Sequence, residues 1–404
     1  MDSPSCPKVA GFVDLEYTEM SETNLAPIPM LDLSRQYATV GEEIQTAMAE
    51  IGRAGRFVLG KEVREFETAA AAMLGATHAI GCNSGTEALW LALDAAGIRP
   101  GDKVITSPFS FFATASAIVR CGAQPVMADI DPVTFNISPR AIAEILERYS
   151  EIKAVLPVHL YGQCADFDAL NELKTKHNLL LIEDAAQAFG AKWNGVAAGA
   201  LGDSAAFSFY PTKNLSAWGD AGMVTTSNDT IADRANLLHV HGMRQRYFHE
   251  IVGWNARMDT FQAAVLLIKL RHIEQWNRDR ARIAERYHRL FAESGLTLGT
   301  SADAADLVLP QTDPRATHVW HQYVIRSSRR DNLRAHLTAR GIGTEIYYPL
   351  SLHQQQALAS LDYNVGDFPH SERAAREVLA IPIFPELRED EQDRIVEAIA
   401  AFRA

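Results

Sequence analysis

Between residues 78 and 209 short apolar runs alternate with helical stretches, and this alternation constrains the fold more than any other feature of the chain. HAIGC precedes TEALWLALDAAGI, KVITS precedes a helix through Ala113 to Cys121, QPVMADI precedes PRAIAEILERYS, and VLPVHLYG precedes FDALNELKTKHN; LLLIEDA and the hydroxyl-rich AAFSF follow. Strands joined by helical crossovers pair in parallel, with right-handed connections and helices on both faces. The expected class is therefore α/β with a mainly parallel central sheet. Ligands of such sheets gather outside the carboxyl ends of the strands, so the residues that end each strand are the functional candidates.

On the N-terminal side, Ile44, Met48 and Ile51 predict a helix closing at Gly55, and GKEVREFETAAAAMLG predicts a second one ending at Gly75. Past residue 260 the positions Leu266, Leu270, Ile273, Ile283, Tyr287 and Leu290, with Arg280 in a gap, predict one long connector helix. HVWHQYVIR, a helix NLRAHLTARG, a strand GTEIYYP and a final helix EDEQDRIVEAIAAF then predict a compact α/β unit. The expected organisation is an acidic tail over 1–28, a large ligand-binding domain over 29–260, and a connector with a small domain over 261–404.

Composition removes several function classes. Thirty-eight Lys and Arg against fifty Asp and Glu give a net charge of −12, which argues against nucleic-acid binding. No run of about eighteen apolar residues is available to span a bilayer. The first 28 residues hold five acidic side chains and one lysine without an apolar core, unlike a signal peptide or a basic targeting arm. Cys6, Cys82, Cys121 and Cys164 show neither C-x-x-C spacing nor a His cluster, so no metal site is expected and reduced thiols in the cytoplasm are.

Three strand-end features carry chemistry. In AFSFYPTKNLSAWGDAGMV, Lys213 follows a strand and a Tyr-Pro-Thr turn; it is either a solvated turn lysine or an amine held inward, where desolvation lowers its pKa enough for Schiff-base chemistry. In GCNSGTEALW a small-residue turn opens a helix, so the backbone N–H groups of Gly85, Thr86 and Glu87 and the Thr86 hydroxyl can hold a phosphate, as can many capped helices. In LLLIEDAAQAFG, Asp184 ends an apolar strand, where it either caps a following helix or meets a cationic partner such as a protonated pyridine nitrogen. An amine, a phosphate cradle and a strand-end carboxylate are the parts that pyridoxal 5'-phosphate requires.

The chain resembles the DegT/DnrJ/EryC1/StrS family of fold-type-I, pyridoxal-phosphate-dependent sugar aminotransferases from about Ile28 onward. RFVLGKEVREFE, CNSGTEAL, SPFSFFATASAI, ADIDPVTFNI, PVHLYGQCADFD, EDAAQAFGA, SFYPTKNLSAWGDAGMV, GWNARMDTFQAAVL and GIGTEIYYP carry the resemblance. It implies that Lys213 forms the Schiff base and shuttles the proton, that Asp184 pairs with the pyridinium, and that Gln187 reaches the ring's phenolic oxygen. Phe111 would stack on the ring, Ser208 would join Gly85 and Thr86 on the phosphate, and Asn255 would reach the phosphate of a neighbouring subunit in a homodimer with shared active sites. Cys164 and Ser216 depart from residues frequent in the family, proline and glycine, without touching this chemistry.

The resemblance further implies ping-pong transfer of an amino group from L-glutamate to a nucleotide-linked keto-sugar, with GTEIYYP closer to enzymes of 3-keto than of 4-keto sugars. His159, Tyr161, Tyr210, Tyr347 and Tyr348 are the candidate substrate contacts, or else packed aromatics. Arg244 and Arg246 of HVHGMRQRYFHE stand either at a diphosphate or in a solvated loop. The alternatives are a cyclitol ketone of the scyllo-inosose type as acceptor, a sugar dehydratase using the same cofactor, and a non-catalytic regulatory homologue.

Overall fold

A computed structural model describes residues 26–402 of the chain. Seven strands form the central sheet: β1 (His78–Cys82), β2 (Lys103–Thr106), β3 (Gln124–Met127), β4 (Ile152–Leu156), β5 (Leu180–Asp184), β6 (Ser204–Ser208) and β7 (Gly222–Thr226). Their spatial order is β1-β7-β6-β5-β4-β2-β3, and only β7 runs against its neighbours. The connection over 209–221 contains no helix, and so short a return lays the next strand antiparallel.

Successive strand residues enter opposite cores, as the pleat requires. Ile105, Ala205, Phe207 and Met223 meet the helices α1 (Leu33–Ala54), α2 (Lys61–Leu74), α5 (Pro139–Arg148), α6 (Phe167–His177) and α8 (Thr260–Leu270). Val104, Ala206 and Val224 meet α3 (Gly85–Ala95), α4 (Phe112–Arg120) and α7 (Asp229–Leu238) on the other face. Helices α1 and α2 close where their sequence predicts, at Gly55 and Gly75, both in the left-handed region that glycine enters without strain (φ 67° and 73°).

The predicted single connector is two helices, α8 and α9 (Ile273–Glu293), separated at Arg271–His272. Helix α8 is buried nearly all round in the first core, whereas α9 passes from that core, through Ile273 and Trp276, into a second one through Ile283, Tyr287 and Phe291. Neither proline nor glycine marks the break. Arg280 does more than fill a gap: its buried guanidinium donates to the carbonyls of Ile383 (2.8 Å), Trp320 (3.1 Å) and His321 (3.4 Å).

The second lobe pairs β8 (Tyr323–Arg326) with β9 (Val378–Ile381) and adds α10 (Arg330–Thr338), α11 (Pro369–Glu377) and α12 (Glu389–Ala400). GTEIYYP, expected as a strand, makes only an isolated bridge from Glu345 to Ala380 and then turns toward the sheet. Most of the expected acidic tail lies outside the described residues. Its last residue does not: Ile28 is fully buried in the second core, donates to Gly341 O and accepts from Gly343 N, both at 2.8 Å.

The first turn of α3 is wedged against β6 and β7. A Cβ on Gly222 would overlap the Ser84 carbonyl and come within 2.8 Å of Gly85 N. Gly222→Ala should therefore lower stability by about 1–3 kcal/mol, whereas Gly52→Ala in α1, with open space around the added carbon, should raise it by roughly 0.5–1 kcal/mol. Thermal unfolding of the two variants checks the pair; equal midpoints would rule out the wedge.

Candidate active site

Because β1, β2, β4, β5 and β6 run the same way, their carboxyl ends open onto one side, and the second lobe closes over them. The cavity between them measures about 690 Å³. Lys213, Asp184, Gln187, Gly85, Thr86 and Ser208 line it, as do Phe111, Tyr210, Tyr347 and Tyr348.

Lys213 sits five residues beyond the end of β6, in a turn closed by its own N–H on Tyr210 O (2.8 Å). The next residue anchors that turn to the second lobe. Asn214 is buried, its Nδ2 donates to Val319 O (2.9 Å) and Asn277 Oδ1 (2.8 Å), and its Oδ1 faces His321 Nδ1 at 3.1 Å. Burial lowers the Lys213 amine to about 8, against the opposing pull of the Asp184 carboxylate. The inward reading of Lys213 is the one this geometry supports.

Asp184 ends β5. Its carboxyl is pushed up by burial and drawn down by the Thr114 hydroxyl, which donates to Oδ2 at 2.7 Å. Ala186 N–H donates to Oδ1 at 3.2 Å, an Asx turn, and residues 185–189 form no helix for Asp184 to cap.

At the start of α3, Ser84 Oγ caps Glu87 N–H (3.1 Å) and Ser84 O takes Ala88 N–H (2.9 Å). The first N–H groups of a helix have no partner within it, so those of Gly85 and Thr86 face the cavity beside the Ser208 hydroxyl. A Cβ on Gly85 would sit 2.5 Å from that of Ser208, so only glycine leaves this seat open. Glu87 is a correction: its N–H is already capped, and its carboxylate takes Arg120 (2.5 Å) and the Trp254 indole (2.8 Å).

Two further expectations change. His159 is fully buried behind the cavity wall; Ala165 N–H donates to its Nδ1 (3.1 Å), which leaves the proton on Nε2 for Glu183 Oε2 (2.9 Å). Tyr161 is buried as well, with its hydroxyl on the Tyr347 carbonyl and its N–H on Gln187 Oε1 (2.6 Å). Neither presents a side chain to a substrate in this arrangement. Gln187 is held by both lobes, since its Nε2 donates to Tyr348 Oη at 3.1 Å. Phe111 and Tyr210 are exposed at the cavity mouth. Asn255 is exposed, bridges Val240, and does not line the cavity of its own chain. Arg244 pairs with Asp233 and Glu250, while Arg246 lies over the Tyr247 ring.

Sequence reasoning missed Ser110, Thr114 and His321. Burial, with the Lys213 and Arg280 cations, drives His321 well below the usual imidazole range, so it is neutral. Because Asn214 Oδ1 takes its Nδ1 proton, Nε2 is left as an acceptor. The His-Val-Trp-His spacing is visible in the sequence, but nothing in it says which histidine would line the cavity that holds Lys213.

The arrangement fits pyridoxal phosphate: a helix N-terminus with free N–H groups for a phosphate, a buried carboxylate for a ring cation, and an amine of lowered pKa for an aldehyde. Comparisons with known proteins agree. The profile of the DegT/DnrJ/EryC1/StrS aminotransferase family matches residues 38–400. The chain belongs to this family. It is 47% identical over 93% of its length to a pleiotropic regulatory protein of Geobacillus stearothermophilus, covering 98% of it. It is 41% identical over 92% of its length to the dTDP-3-amino-3,4,6-trideoxy-alpha-D-glucose transaminase of Streptomyces venezuelae, covering 95% of that enzyme. Among solved structures it resembles S. venezuelae DesV, crystallised with a ketimine intermediate, with a TM-score of 0.89 and 40% identity, over 94% of this chain and all of that one. The protein is thus a pyridoxal-phosphate-dependent sugar aminotransferase of fold type I. No helix among the described residues is long and apolar enough to cross a membrane.

Only the free amine attacks an aldehyde. The rate at which cofactor-free enzyme captures pyridoxal phosphate, followed by absorbance, should rise about tenfold per pH unit up to about 8 and then level off. A rate still climbing steeply above pH 9 would mean that Lys213 keeps an ordinary lysine pKa.

Proposed function

We propose that the enzyme transfers the amino group of L-glutamate to a nucleotide-linked 3-keto-sugar in two half-reactions. The observation that carries this reading is the convergence of Lys213, Asp184 and the first turn of α3 on one cavity. The 3-position is favoured by the S. venezuelae transaminase, whose named product carries its amine there.

The bound cofactor supplies an aldehyde for the incoming amine and a cationic ring that accepts electrons. The chain supplies the rest. Gly85 and Thr86 N–H, with the Thr86 and Ser208 hydroxyls, bind the phosphate; Asp184 keeps the ring nitrogen protonated; Gln187 addresses the phenolic oxygen; Phe111 covers a ring face. Lys213 Nζ would take the proton from the substrate carbon that bears the nitrogen and would deliver it to the cofactor's aldehyde carbon, as general base and then acid. Tyr210, Tyr347 and Tyr348 at the mouth and roof contact the sugar. Glu87, His159 and Tyr161 are left out of these roles.

A dimer completes the site in this reading. Among the described residues the cavity wall carries Asp184, Asp220 and Glu345 against Lys213 as its cation, so a phosphate and a nucleotide diphosphate call for further positive charge. Exposed Asn255 would add neutral amide N–H donors to the partner's phosphate, and Arg246 would bring the positive charge to its diphosphate. A cytoplasmic location accords with Cys82, Cys121 and Cys164, which are buried and unpaired. A regulatory role is a second reading, supported by the name of the G. stearothermophilus relative.

Glutamate with a nucleotide 3-keto-sugar should yield 2-oxoglutarate and sugar amine one for one, read by mass. Lys213→Ala should lose at least about 10²–10⁴-fold in rate. Sugar consumed without 2-oxoglutarate would indicate a dehydratase, and no turnover with any keto-sugar would favour the regulatory reading. For the shared site, mixing inactive Lys213→Ala and Asn255→Ala dimers should restore about a quarter of the activity, because hybrids contain one intact site. No recovery after proven exchange would remove Asn255 from the partner's site.

A further inference from the structure

We propose that Ser110 and Thr114 form a buried hydroxyl relay that positions Asp184 and holds it ionised, making Thr114 the residue through which the chain tunes the ring partner. Both hydroxyls are buried, Ser110 in the turn after β2 and Thr114 in the first turns of α4. Thr114 Oγ1 lies 2.7 Å from Asp184 Oδ2 and 2.8 Å from Ser110 Oγ.

The direction of the relay follows from counting protons. A threonine hydroxyl has one hydrogen, and an ionised carboxylate can only accept. Thr114 therefore donates to Asp184, and Ser110 must donate to Thr114. With Thr114 committed to Oδ2 and Ala186 N–H to Oδ1, each carboxylate oxygen has one donor from the chain and keeps a lone pair for a further partner on the cavity side. Hydrogen bonds to a charged acceptor are strong and favour the charged form, and in a buried site they oppose the desolvation that would neutralise it. The other groups facing Asp184 are the Lys213 amine from the 209–221 turn, His159 after β4, whose N–H donates to Asp184 O (3.0 Å), and Tyr348 from the second lobe. None of these three makes a side-chain hydrogen bond to the carboxylate; among the described residues the side chain that does is Thr114.

The inference rests on the reading of Asp184 as the partner of the ring nitrogen, and the test separates the two. In cofactor-free enzyme carrying ¹³C-labelled aspartate, the Asp184 carboxyl resonance is assigned by its loss in Asp184→Asn and titrated by NMR. Thr114→Val, nearly the same shape without the hydroxyl, should move the midpoint to higher pH, Ser110→Ala should move it less in the same direction, and Thr114→Ser should restore it. Affinity for pyridoxal phosphate near neutral pH should fall about ten- to a hundredfold in Thr114→Val. An unchanged midpoint in folded Thr114→Val overturns the relay. Should that variant not fold, an unchanged midpoint in Ser110→Ala does so. If Asp184→Asn binds pyridoxal phosphate as well as the parent does, the ring-partner reading fails, and the relay loses its purpose although the titration shift stands.

Discussion

The structure turns on a carboxylate and an amine that line one cavity. Burial disfavours charge on both, so Asp184 is pushed up and Lys213 down, each toward neutrality. Their mutual attraction opposes both shifts without cancelling either. A buried ion pair is costly unless hydrogen bonds satisfy what the partner leaves open. Here the carboxylate receives two donors from two elements, α4 and the turn after β5, while the amine stands on a turn closed by the Lys213 N–H on Tyr210 O. The asymmetry suits the chemistry: the acid must remain an anion, and the amine must give up its proton.

The two lobes are joined by polar contacts at residues adjacent to those that face the cavity. Asn214, beside Lys213, bonds the Val319 carbonyl and faces His321; Arg280 holds the carbonyls of Trp320, His321 and Ile383; Gln187 reaches Tyr348. Each is a buried or half-buried polar group whose loss of partner would be expensive. The lobes also share an apolar cluster, Phe109, Val158 and Leu160 against Val324, Val378 and Ala380, so a shift of one lobe would disturb that packing together with the backbone next to Lys213. The lobe junction and the site are thus one mechanical unit, with α9 as its shaft.

Much of this was legible in the sequence, because periodicity reports burial. The strand and helix alternation predicts the sheet, and its parallel sense explains why residues as distant as Gly85, Asp184 and Ser208 share one wall. Other features leave no local trace. Thr114 lies in a helix, where threonine reads as an indifferent residue; its partner is 70 residues away. The break at Arg271–His272 continues the apolar period on both sides, so periodicity alone reads through it. Residues 345–348 have strand-like composition, yet tertiary contacts bend them toward the cavity, where packing overrides a weak preference. Glu87 and His159 have plausible types at plausible places, and only the side-chain partners they already hold remove them.

The dipeptide Glu183-Asp184 shows why residue type and strand position together still underdetermine function. Both are buried acids at the end of β5. The pleat sends them to opposite sides of the sheet. Glu183 accepts Gly199, Leu201 and Gly202 N–H at 2.7–3.0 Å together with His159 Nε2, so four donors fix it as the organiser of the loop before β6. Asp184 has two donors and a cavity in front of it. A carboxylate saturated by the chain braces the fold, and one left partly unsatisfied beside a cavity is available for chemistry. A register shift of one residue in β5 would exchange the two roles, which ties the site to the β4-β5-β6 pairing more tightly than to either acid alone.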